Sequence, residues 1–302
     1  MSLKYCIDDF LIFRNVLFVR GWVLNEDFKI KLIINSIEFN IIYQSFDSPD
    51  VAKIHGEKHK NCRFEFNHTI GDLIVKEIKI IISKDDIILE IDPIQEMTTS
   101  DESFNLQNIF QEGLPDLIKG TVVEIGSRAR SKITRKHFFK DFKKYIGLDI
   151  IEGDNVDVIG DAHNLSNIFT PNSIDCIFSV SVFEHLINPL RVVYEINKIL
   201  KIGGYCQINT HQTWPIHDCP WDFFRFSKYA WYGLFNQTTG FEIVESVQGE
   251  PCFVAPMLTQ ADHQGLDYQR GYLSSKVVAR KLAHKYVDIP YDESYMKNIY
   301  PY

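Results

Sequence analysis

Short runs of alternating apolar and polar residues fill the chain as far as about residue 92. Polar turns separate these runs, and no helical period lies between them. Alternation is typical of strands that bury one face, and strands at this spacing indicate an antiparallel sandwich. Examples of the predicted strands are 16–24, 29–34, 37–43, 62–66, 75–82 and 87–91.

The pattern changes at about Leu106, where apolar runs begin to alternate with helical periods. Leu190, Val193, Ile196 and Leu200 share one face of a helix predicted over 189–201. Such alternation predicts an α/β fold, a doubly wound, Rossmann-like parallel sheet with helices on both faces. The predicted strands are 121–125, 145–150, 156–159, 174–182, 205–210 and 241–247.

A polar segment at 93–105, rich in Thr, Ser and acidic residues, separates the two patterns and indicates a linker. We therefore predict a β-sandwich accessory domain over 1–97 and an α/β domain over 98–302. The tail from residue 251 onward contains a Gln-Ala-Asp-His-Gln stretch and a basic run at 275–285 with a helical character. It is interpreted as a lid over the acceptor pocket or as an assembly segment of a homo-oligomer.

Charge and cysteine content indicate which partners the protein can bind and in which compartment of the cell it works. The formal net charge is −8, without a Lys/Arg cluster, so nucleic acid is not a predicted partner. Six scattered cysteines form no C-x-x-C pair, which favours reduced thiols and a cytoplasmic protein. The apolar stretch 10–24 is interrupted by Arg14 and Arg20, so neither a signal peptide nor a membrane span is predicted.

Residues suited to a nucleoside follow the first two strands of the second domain. In an open α/β sheet, ligands bind beyond the carboxyl ends of the strands, where strand order reverses. Gly126 lets the backbone approach a ligand, and a helix after it would offer free N–H groups. Asp149 can accept hydrogen bonds from two vicinal ribose hydroxyls, and its separation from Gly126 matches the roughly 20-residue offset of a nucleoside-binding βαβ unit.

Five ordered motifs resemble class I S-adenosylmethionine-dependent methyltransferases, in the type 11-like subgroup that modifies bacterial surface glycans. The resemblance spans about residues 120–249 and implies S-adenosylmethionine as the cofactor. The motifs are Val123-Glu124-Ile125-Gly126, Gly147-Leu148-Asp149, Gly160-Asp161-Ala162, Ser181-Val182-Phe183-Glu184-His185-Leu186 and Ile199-Leu200-Lys201-Ile202-Gly203-Gly204.

The resemblance also assigns roles within the cofactor site. Gly126 would contact the methionine part, Asp149 the ribose and Asp161 the adenine amino group, with the Ala162 backbone beside the ring. Residues 179–183 would line the pocket. The implied cofactor-binding residues are Glu124, Gly126, Ser127, Arg128, Asp149, Ile150, Asp161, Ala162, Ser179 and Val180.

Arg128 and Arg130 stand where the family's E-x-G-x-G-x-G loop has its second and third glycines. This departure argues against a dinucleotide enzyme, because G-x-G-x-x-G allows close approach of a pyrophosphate. A methionine moiety has no phosphate, so an arginine could pair with its carboxylate. The alternatives are that both arginines face solvent or cap a helix, or that the loop no longer binds cofactor.

The segment 209–227 crowds titratable and aromatic residues at the end of a predicted strand. An oxygen acceptor needs a general base, and we predict His211 or His217 for this role, with Asp218 fixing the ring tautomer. Trp214 and Trp221 are predicted to contact a sugar ring. The alternative is a packed lid whose side chains satisfy one another.

Three further residues of this region complete the prediction. Arg225 is predicted to hold an anionic group of the acceptor. His185 is interpreted equally as a cap, a pocket wall or a catalytic group. Although His211, His217, Asp218 and Asp222 are all metal-ligand types, their spacing matches no standard motif, so no metal is predicted.

Segments 20–24, 48–52 and 62–66 resemble a small β-sandwich module attached to glycosyltransferases and related glycan enzymes. That module is interpreted as glycan-binding, as an assembly element or as a stabilising appendage. The predicted activity is O-methylation of a sugar hydroxyl of a surface-glycan precursor. The alternatives are a catalytically inactive scaffold or glycan-binding protein, and a nicotinamide-dependent sugar oxidoreductase, which would lack its glycine fingerprint and Tyr-x-x-x-Lys pair.

Overall fold

The chain forms two compact units, Met1–Phe104 and Asn105–Tyr302. The structure, a computed structural model, describes residues 3–13, 15–24, 27–71, 73–100, 118–130, 132–254 and 270–292. The predicted Gln-Ala-Asp-His-Gln stretch and the last part of the predicted linker, 101–105, lie outside the described residues.

Two four-stranded antiparallel sheets make up the first unit and fit the predicted all-β module. Their orders are β1-β2-β6-β5 and β4-β3-β7-β8. Buried and less buried residues alternate along β2, β3 and β7, and the buried ones form one apolar cluster that includes Leu17, Leu32 and Ile80. The strands are β1 (Tyr5–Phe13), β2 (Val16–Val23), β3 (Lys29–Ile34), β4 (Ile37–Ile41), β5 (Gln44–Phe46), β6 (Arg63–Thr69), β7 (Ile78–Lys84) and β8 (Ile87–Ile91).

Two helices also belong to the first unit, α1 (Pro49–His55) and α2 (Pro93–Ser100). The prediction of a linker beginning at residue 93 is therefore wrong for 93–100. Asp92 explains the helix, because its Oδ1 accepts hydrogen bonds from the N–H groups of Ile94 and Gln95, both at 3.0 Å. A proline at the first helical position is also favourable. The predicted domain boundary, residues 97–98, falls inside α2.

A seven-stranded mixed sheet forms the second unit, in the order β11-β10-β9-β12-β13-β15-β14. The strands β9 to β13 run parallel, whereas β15 pairs antiparallel with both β13 and β14. Strand order reverses between β9 and β12, which fits a Rossmann-like domain. The strands are β9 (Thr121–Ile125), β10 (Lys144–Asp149), β11 (Val158–Ile159), β12 (Ile174–Val180), β13 (Leu200–His211), β14 (Phe241–Phe253) and β15 (Arg270–Lys281).

The antiparallel strand β15 corrects the prediction of an all-parallel sheet and of a basic helical run at 275–285. Residues 274–279 are all buried, because β15 is an inner strand covered on both faces. Continuous burial removes the alternation that marks a strand in sequence. Of the tail, residues 251–253 belong to β14 and residues 270–281 to β15.

Buried side chains of the second unit pack on both faces of its sheet. Val123 and Ile125 of β9 belong to one apolar cluster and Val122 to another. Within the described residues, helices supply buried apolar side chains to the first cluster only. These helices are α3 (Leu165–Ile168), α4 (Pro189–Ile199) and α5 (Ala230–Leu234).

The helix expected directly after Gly126 is missing from the described residues between β9 and β10, which are 126–130 and 132–143. They contain one 3-10 turn, Lys136–Phe138, and no α-helix. The N–H groups expected to stay free for a ligand are also bonded within the protein. Those of Gly126 and Ser127 donate to the Leu148 carbonyl at 2.8 and 3.1 Å.

Candidate functional site

A cavity of about 560 Å³ opens at the carboxyl ends of the parallel strands. Gly126 follows β9, Asp149 ends β10, Asp161 follows β11, and His211 ends β13. The strand-end residues predicted to meet a ligand are thus brought to one edge of the sheet. The predicted site residues that line the cavity are Gly126, Arg128, Asp149, Ile150, Asp161, Ala162, Val180, His211, His217, Asp218 and Trp221.

Gly126 occupies a position in the turn after β9 where a side chain would clash with its surroundings. Its φ is +77°, a conformation that favours glycine, and a Cβ there would lie 2.1 Å from Cγ2 of Val182. Val182 lines the cavity from the loop after β12. The glycine therefore allows the β9 turn and the β12 loop to meet at the cavity wall.

Asp149 presents a carboxylate fixed by the backbone. Its Oδ2 accepts the Arg128 N–H at 3.2 Å, and its Oδ1 accepts the Ile151 N–H at 3.1 Å. Each oxygen keeps capacity for another donor. A carboxylate held in this way at a cavity wall is suited to two vicinal hydroxyls.

Asp161 is engaged by two side chains of the protein. Its Oδ1 contacts Nδ1 of His163 at 2.7 Å, and its Oδ2 accepts a hydrogen bond from the Tyr291 hydroxyl. Burial alone would raise the pKa of Asp161, but the hydrogen bonds from His163 and Tyr291 outweigh it and lower that pKa. Tyr291 also stacks on His163, with ring centroids 4.8 Å apart. The tail thus contacts the acid predicted to meet the adenine amino group.

Replacing Tyr291 by Phe should tighten cofactor binding by about 5-fold, because a net hydrogen bond worth about 1 kcal/mol would no longer compete for Oδ2 of Asp161. Stacking on His163 is retained in this variant. Calorimetry with S-adenosylhomocysteine measures the change, and Tyr286→Phe, an exposed tyrosine of the same segment, is the matched control. Equal affinities for the wild type and Tyr291→Phe would show that the hydroxyl does not compete with the adenine.

Three predicted cofactor residues lie behind the cavity wall rather than on it. Glu124 is buried and accepts hydrogen bonds from the Tyr145 hydroxyl at 2.7 Å and from Nδ2 of Asn155 at 3.2 Å. Ser127 is buried, and the Ser179 hydroxyl donates to the Ile125 carbonyl at 3.1 Å. These contacts indicate that the three residues support the turn after β9.

The two arginines of the turn have different partners. Arg130 forms a bidentate pair with Asp218, with nitrogen–oxygen distances of 2.6 and 3.2 Å. Nε of Arg128 is buried and has no hydrogen-bond partner among the described residues. Its distance of 4.0 Å from Oδ1 of Asp149 exceeds hydrogen-bonding range. A buried donor on a cavity-lining residue favours an anionic ligand group beside Arg128.

Three histidines that line the cavity, His185, His211 and His217, lie close to one another. His217 lies between the other two, with ring centroids 4.9 Å from His185 and 5.3 Å from His211. Burial lowers the pKa of His211 to about 4, so its imidazole is neutral at neutral pH. We call these residues with Glu184 the histidine cluster.

Glu184 is the member of this cluster to which the sequence assigned no role. It is fully buried, and burial raises its pKa. Its Oε2 accepts the Thr210 hydroxyl, whereas its Oε1 lies 3.3 Å from Nε2 of His211 and 3.8 Å from Nε2 of His185. The carboxylate that contacts His211 is therefore Glu184.

The acid beside His217 is Asp222 rather than Asp218, which was predicted to fix a histidine tautomer. Asp218 is occupied by Arg130, whereas Oδ2 of Asp222 lies 3.1 Å from Nδ1 of His217 and accepts the His217 N–H at 2.9 Å. Hydrogen bonds from Arg225 lower the pKa of Asp222. They outweigh the burial of the Asp222 carboxylate, which acts to raise that pKa.

Arg225 is not available to an acceptor anion, in contrast to the prediction. Nη1 and Nη2 bond both Asp222 oxygens, at 2.5 and 2.6 Å. The other N–H groups donate to carbonyls of Trp214, Pro215 and Phe224, so all five donors are used within the loop. Trp214 stacks on His211 at 4.7 Å and does not line the cavity, whereas Trp221 does.

Residues 124–208 match the family model described as "Methyltransferase domain". This match confirms the predicted cofactor, S-adenosylmethionine, and supports a methyltransferase in general terms. Among curated proteins, none matches this chain significantly.

Several solved structures resemble the chain. A chain from the complex of the Haloferax volcanii Trm112 methyltransferase activator with a methyltransferase is 18% identical, covers 64% of this chain and 95% of its own, and has a TM-score of 0.43. A SAM-dependent methyltransferase from Aquifex aeolicus is 17% identical, over 64% and 100%, with a TM-score of 0.39. One from Archaeoglobus fulgidus is 14% identical, over 59% and 99%, with a TM-score of 0.38.

The part of the chain that the structure describes contains no helix with the length and hydropathy needed to cross a membrane.

Proposed function

We propose that this protein transfers a methyl group from S-adenosylmethionine to a hydroxyl oxygen of a sugar in a surface-glycan precursor. The observation that carries the proposal is one continuous cavity. Its lining includes Asp149 and Asp161 as well as the three histidines. Acceptors for a nucleoside and groups for acid–base chemistry in a single cavity are what methyl transfer to oxygen requires.

The residues present fit the cofactor. A volume of about 560 Å³ is within the range of small-molecule sites. Asp149 supplies acceptors for the ribose, and the turn at Gly126 lets the backbone lie close to the cofactor. Arg128 has a buried donor suited to the methionine carboxylate. When bound, S-adenosylmethionine supplies an electrophilic methyl group, which is passed to the acceptor oxygen as the C–S bond breaks and S-adenosylhomocysteine forms.

The histidine cluster supports oxygen as the acceptor atom. A hydroxyl must lose its proton as it attacks, and a neutral imidazole such as His211 offers a lone pair at the cavity wall. Alignment of the attacking oxygen with the methyl group supplies much of the remaining acceleration. The Trp221 side chain lines the same cavity and offers an apolar face of the kind that packs on a sugar ring.

The test is a methylation assay on the full chain with a panel of nucleotide sugars and lipid-linked glycans. We expect S-adenosylhomocysteine to form together with an acceptor whose mass increases by one methyl group. The position of the methyl group in the product identifies the acceptor atom. Methylation of nitrogen or carbon alone would contradict the proposal.

A catalytically inactive scaffold is the second candidate, and the contact of Tyr291 with Asp161 is the observation that favours it. A scaffold of this kind would bind S-adenosylhomocysteine in neither the wild type nor Tyr291→Phe. Calorimetry on both proteins therefore separates the two candidates before any acceptor is known.

Residues 105–302 alone should bind S-adenosylhomocysteine with the affinity of the full chain, because every residue that lines the cavity belongs to the second unit. The experiment compares the full chain with a protein that lacks residues 1–104. Circular dichroism and thermal unfolding of the shortened protein establish that it is folded. If that folded protein binds more than about 10-fold more weakly, which is about 1.4 kcal/mol, the first unit contributes to the cofactor site.

A further inference from the structure

We propose that the histidine cluster binds one divalent transition-metal ion through Glu184, His211 and His217. Binding of the ion rests on the geometry of these residues alone. Its role in methyl transfer rests on the proposed function.

The three side chains are spaced as metal ligands. One ligand atom from each lies within 4.8 Å of the others. The separation of Oε1 of Glu184 from Nε2 of His211 is 3.3 Å. Two ligand atoms about 2.0–2.1 Å from an ion in tetrahedral geometry are roughly 3.3 Å apart. This pair of atoms already has the spacing of two adjacent ligands.

Glu184 directs a buried, unpartnered carboxylate oxygen into the histidine cluster. The residue is 0% exposed, and its Oε1 has no hydrogen-bond partner among the described residues. Thr210 holds the other oxygen, and the unpartnered one is directed towards His211 and His185, at 3.3 and 3.8 Å. Leaving a buried carboxylate oxygen unsatisfied is costly, and an ion bound there would remove that cost.

His217 has the outer contacts that orient a metal-binding imidazole. Its Nδ1 lies 3.1 Å from Asp222 and 3.2 Å from the Pro215 carbonyl, so Nε2 is left for an ion. Arg225 fixes Asp222 in turn. Metal-binding histidines commonly donate their second N–H to a carboxylate or a carbonyl, which fixes the tautomer. Asp222 and Arg225 are thus positioning residues for the ion.

The ligand set selects the class of ion. Two imidazoles and a carboxylate suit Zn²⁺, Mn²⁺, Fe²⁺ and similar ions, whereas Mg²⁺ and Ca²⁺ prefer oxygen ligands throughout. Three protein ligands leave at least one coordination position open. Because His211 and His217 line the cavity, the open position can receive the acceptor hydroxyl.

The ion would act on the acceptor rather than on the cofactor. With the ion bound, the lone pair of His211 is used as a ligand, and the ion replaces the imidazole as the group that assists loss of the proton. A hydroxyl oxygen bound to a divalent ion has a lowered pKa, so its O–H bond breaks more readily and its proton is released to solvent. The oxygen then forms its bond to the methyl group, and the departing sulfur keeps the electron pair of the C–S bond. No oxidant or reductant is needed.

The absence of a sequence motif is explained by where the ligands come from. Glu184 lies in the 3-10 turn Phe183–His185 after β12, His211 ends β13, and His217 lies in the loop beyond it. Only the pairing of β12 with β13 brings these strand ends together. Spacing along the chain therefore gave no metal prediction.

The test measures binding of ZnCl₂, MnCl₂ and MgCl₂ to the full chain without a polyhistidine tag after treatment with EDTA. Calorimetry gives affinity and stoichiometry, and elemental analysis after gel filtration gives metal content. We expect one equivalent of Zn²⁺ or Mn²⁺ and no Mg²⁺ at this site. Glu184→Gln and His217→Ala should each weaken binding by roughly 100-fold or more, and Asp222→Asn by about 10–100-fold.

His137→Ala is the matched control, because His137 is exposed and lies outside the cluster. Thermal unfolding confirms that each variant is folded, and His217, part of an exposed loop, keeps the test valid should Glu184→Gln fail to fold. Lack of a bound equivalent, or equal affinity in the control and the folded ligand variants, would overturn the proposal.

The experiments test the metal site and the proposed function independently of each other. A protein that binds one ion but methylates no sugar hydroxyl would contradict the proposed function and leave the site established. Full methylation by EDTA-treated protein that is shown to contain no metal in the same sample would mean that the ion takes no part in the reaction.

Discussion

Replacing His211 by Ala is expected to lower turnover by about 10²- to 10⁴-fold, the usual contribution of a group that assists proton removal. His211 ends β13, lines the cavity and lies 3.3 Å from the buried carboxylate of Glu184. Loss of the imidazole removes both its lone pair and one side of the histidine cluster. The reacting hydroxyl would then have to lose its proton unassisted.

Single-turnover measurements with saturating cofactor report this effect on the methyl-transfer step. Affinity for S-adenosylhomocysteine should stay within about 2-fold, or about 0.4 kcal/mol, of the wild type, because the residues assigned to the nucleoside follow other strands. His137→Ala serves again as the exposed control and should methylate at the wild-type rate. Wild-type turnover in folded His211→Ala would place proton removal elsewhere.

Replacing Asp149 by Ala is expected to weaken cofactor binding by about 1–3 kcal/mol, or about 5- to 150-fold in Kd. The carboxylate ends β10 and would accept hydrogen bonds from both ribose hydroxyls. It also accepts hydrogen bonds from the N–H groups of Arg128 and Ile151, which both line the cavity. The variant therefore loses two ligand contacts and loosens the turn that contains Arg128.

Asp149→Asn separates these two contributions, since an amide keeps one acceptor oxygen and almost the same volume. We expect its affinity to lie between those of the wild type and Asp149→Ala. Calorimetry with S-adenosylhomocysteine measures all three proteins, and thermal unfolding reports the state of the turn. Wild-type affinity in Asp149→Ala would refute the assignment of the ribose to this side chain.

Most strands could be read from the sequence because one or both of their faces are apolar. The predicted bounds of β3, β8 and β9 agree with the structure. Strand β1 was missed because Asp8 and Asp9 interrupt its apolar run. The pairing with β2 shifts register between Ile7 and Asp9, and Asp9 is buried against Arg20 at 3.2 Å. A bulge with a buried ion pair breaks the alternation on which the prediction depends.

Some features of the candidate site follow from local sequence patterns, whereas others depend on contacts between residues that are distant in sequence. The positions of Gly126, Asp149 and Asp161 follow from strand ends, which local patterns reveal. The contacts of Glu184 with His211 and of Tyr291 with Asp161 join residues that are distant in sequence. Arg225 illustrates the opposite error, because its chemistry suited an acceptor anion whereas a neighbouring acid and three carbonyls take all its donors.

The position of β15 between β13 and β14 affects how the second unit can be made. Strand β14 has no place in the sheet until β15 has been synthesised, because β14 pairs with β15, which separates it from β13. On the ribosome, the edges of β13 and β14 therefore wait unpaired, exposed to strand exchange with other chains. Completion of this sheet therefore waits until Lys281 has been added to the chain.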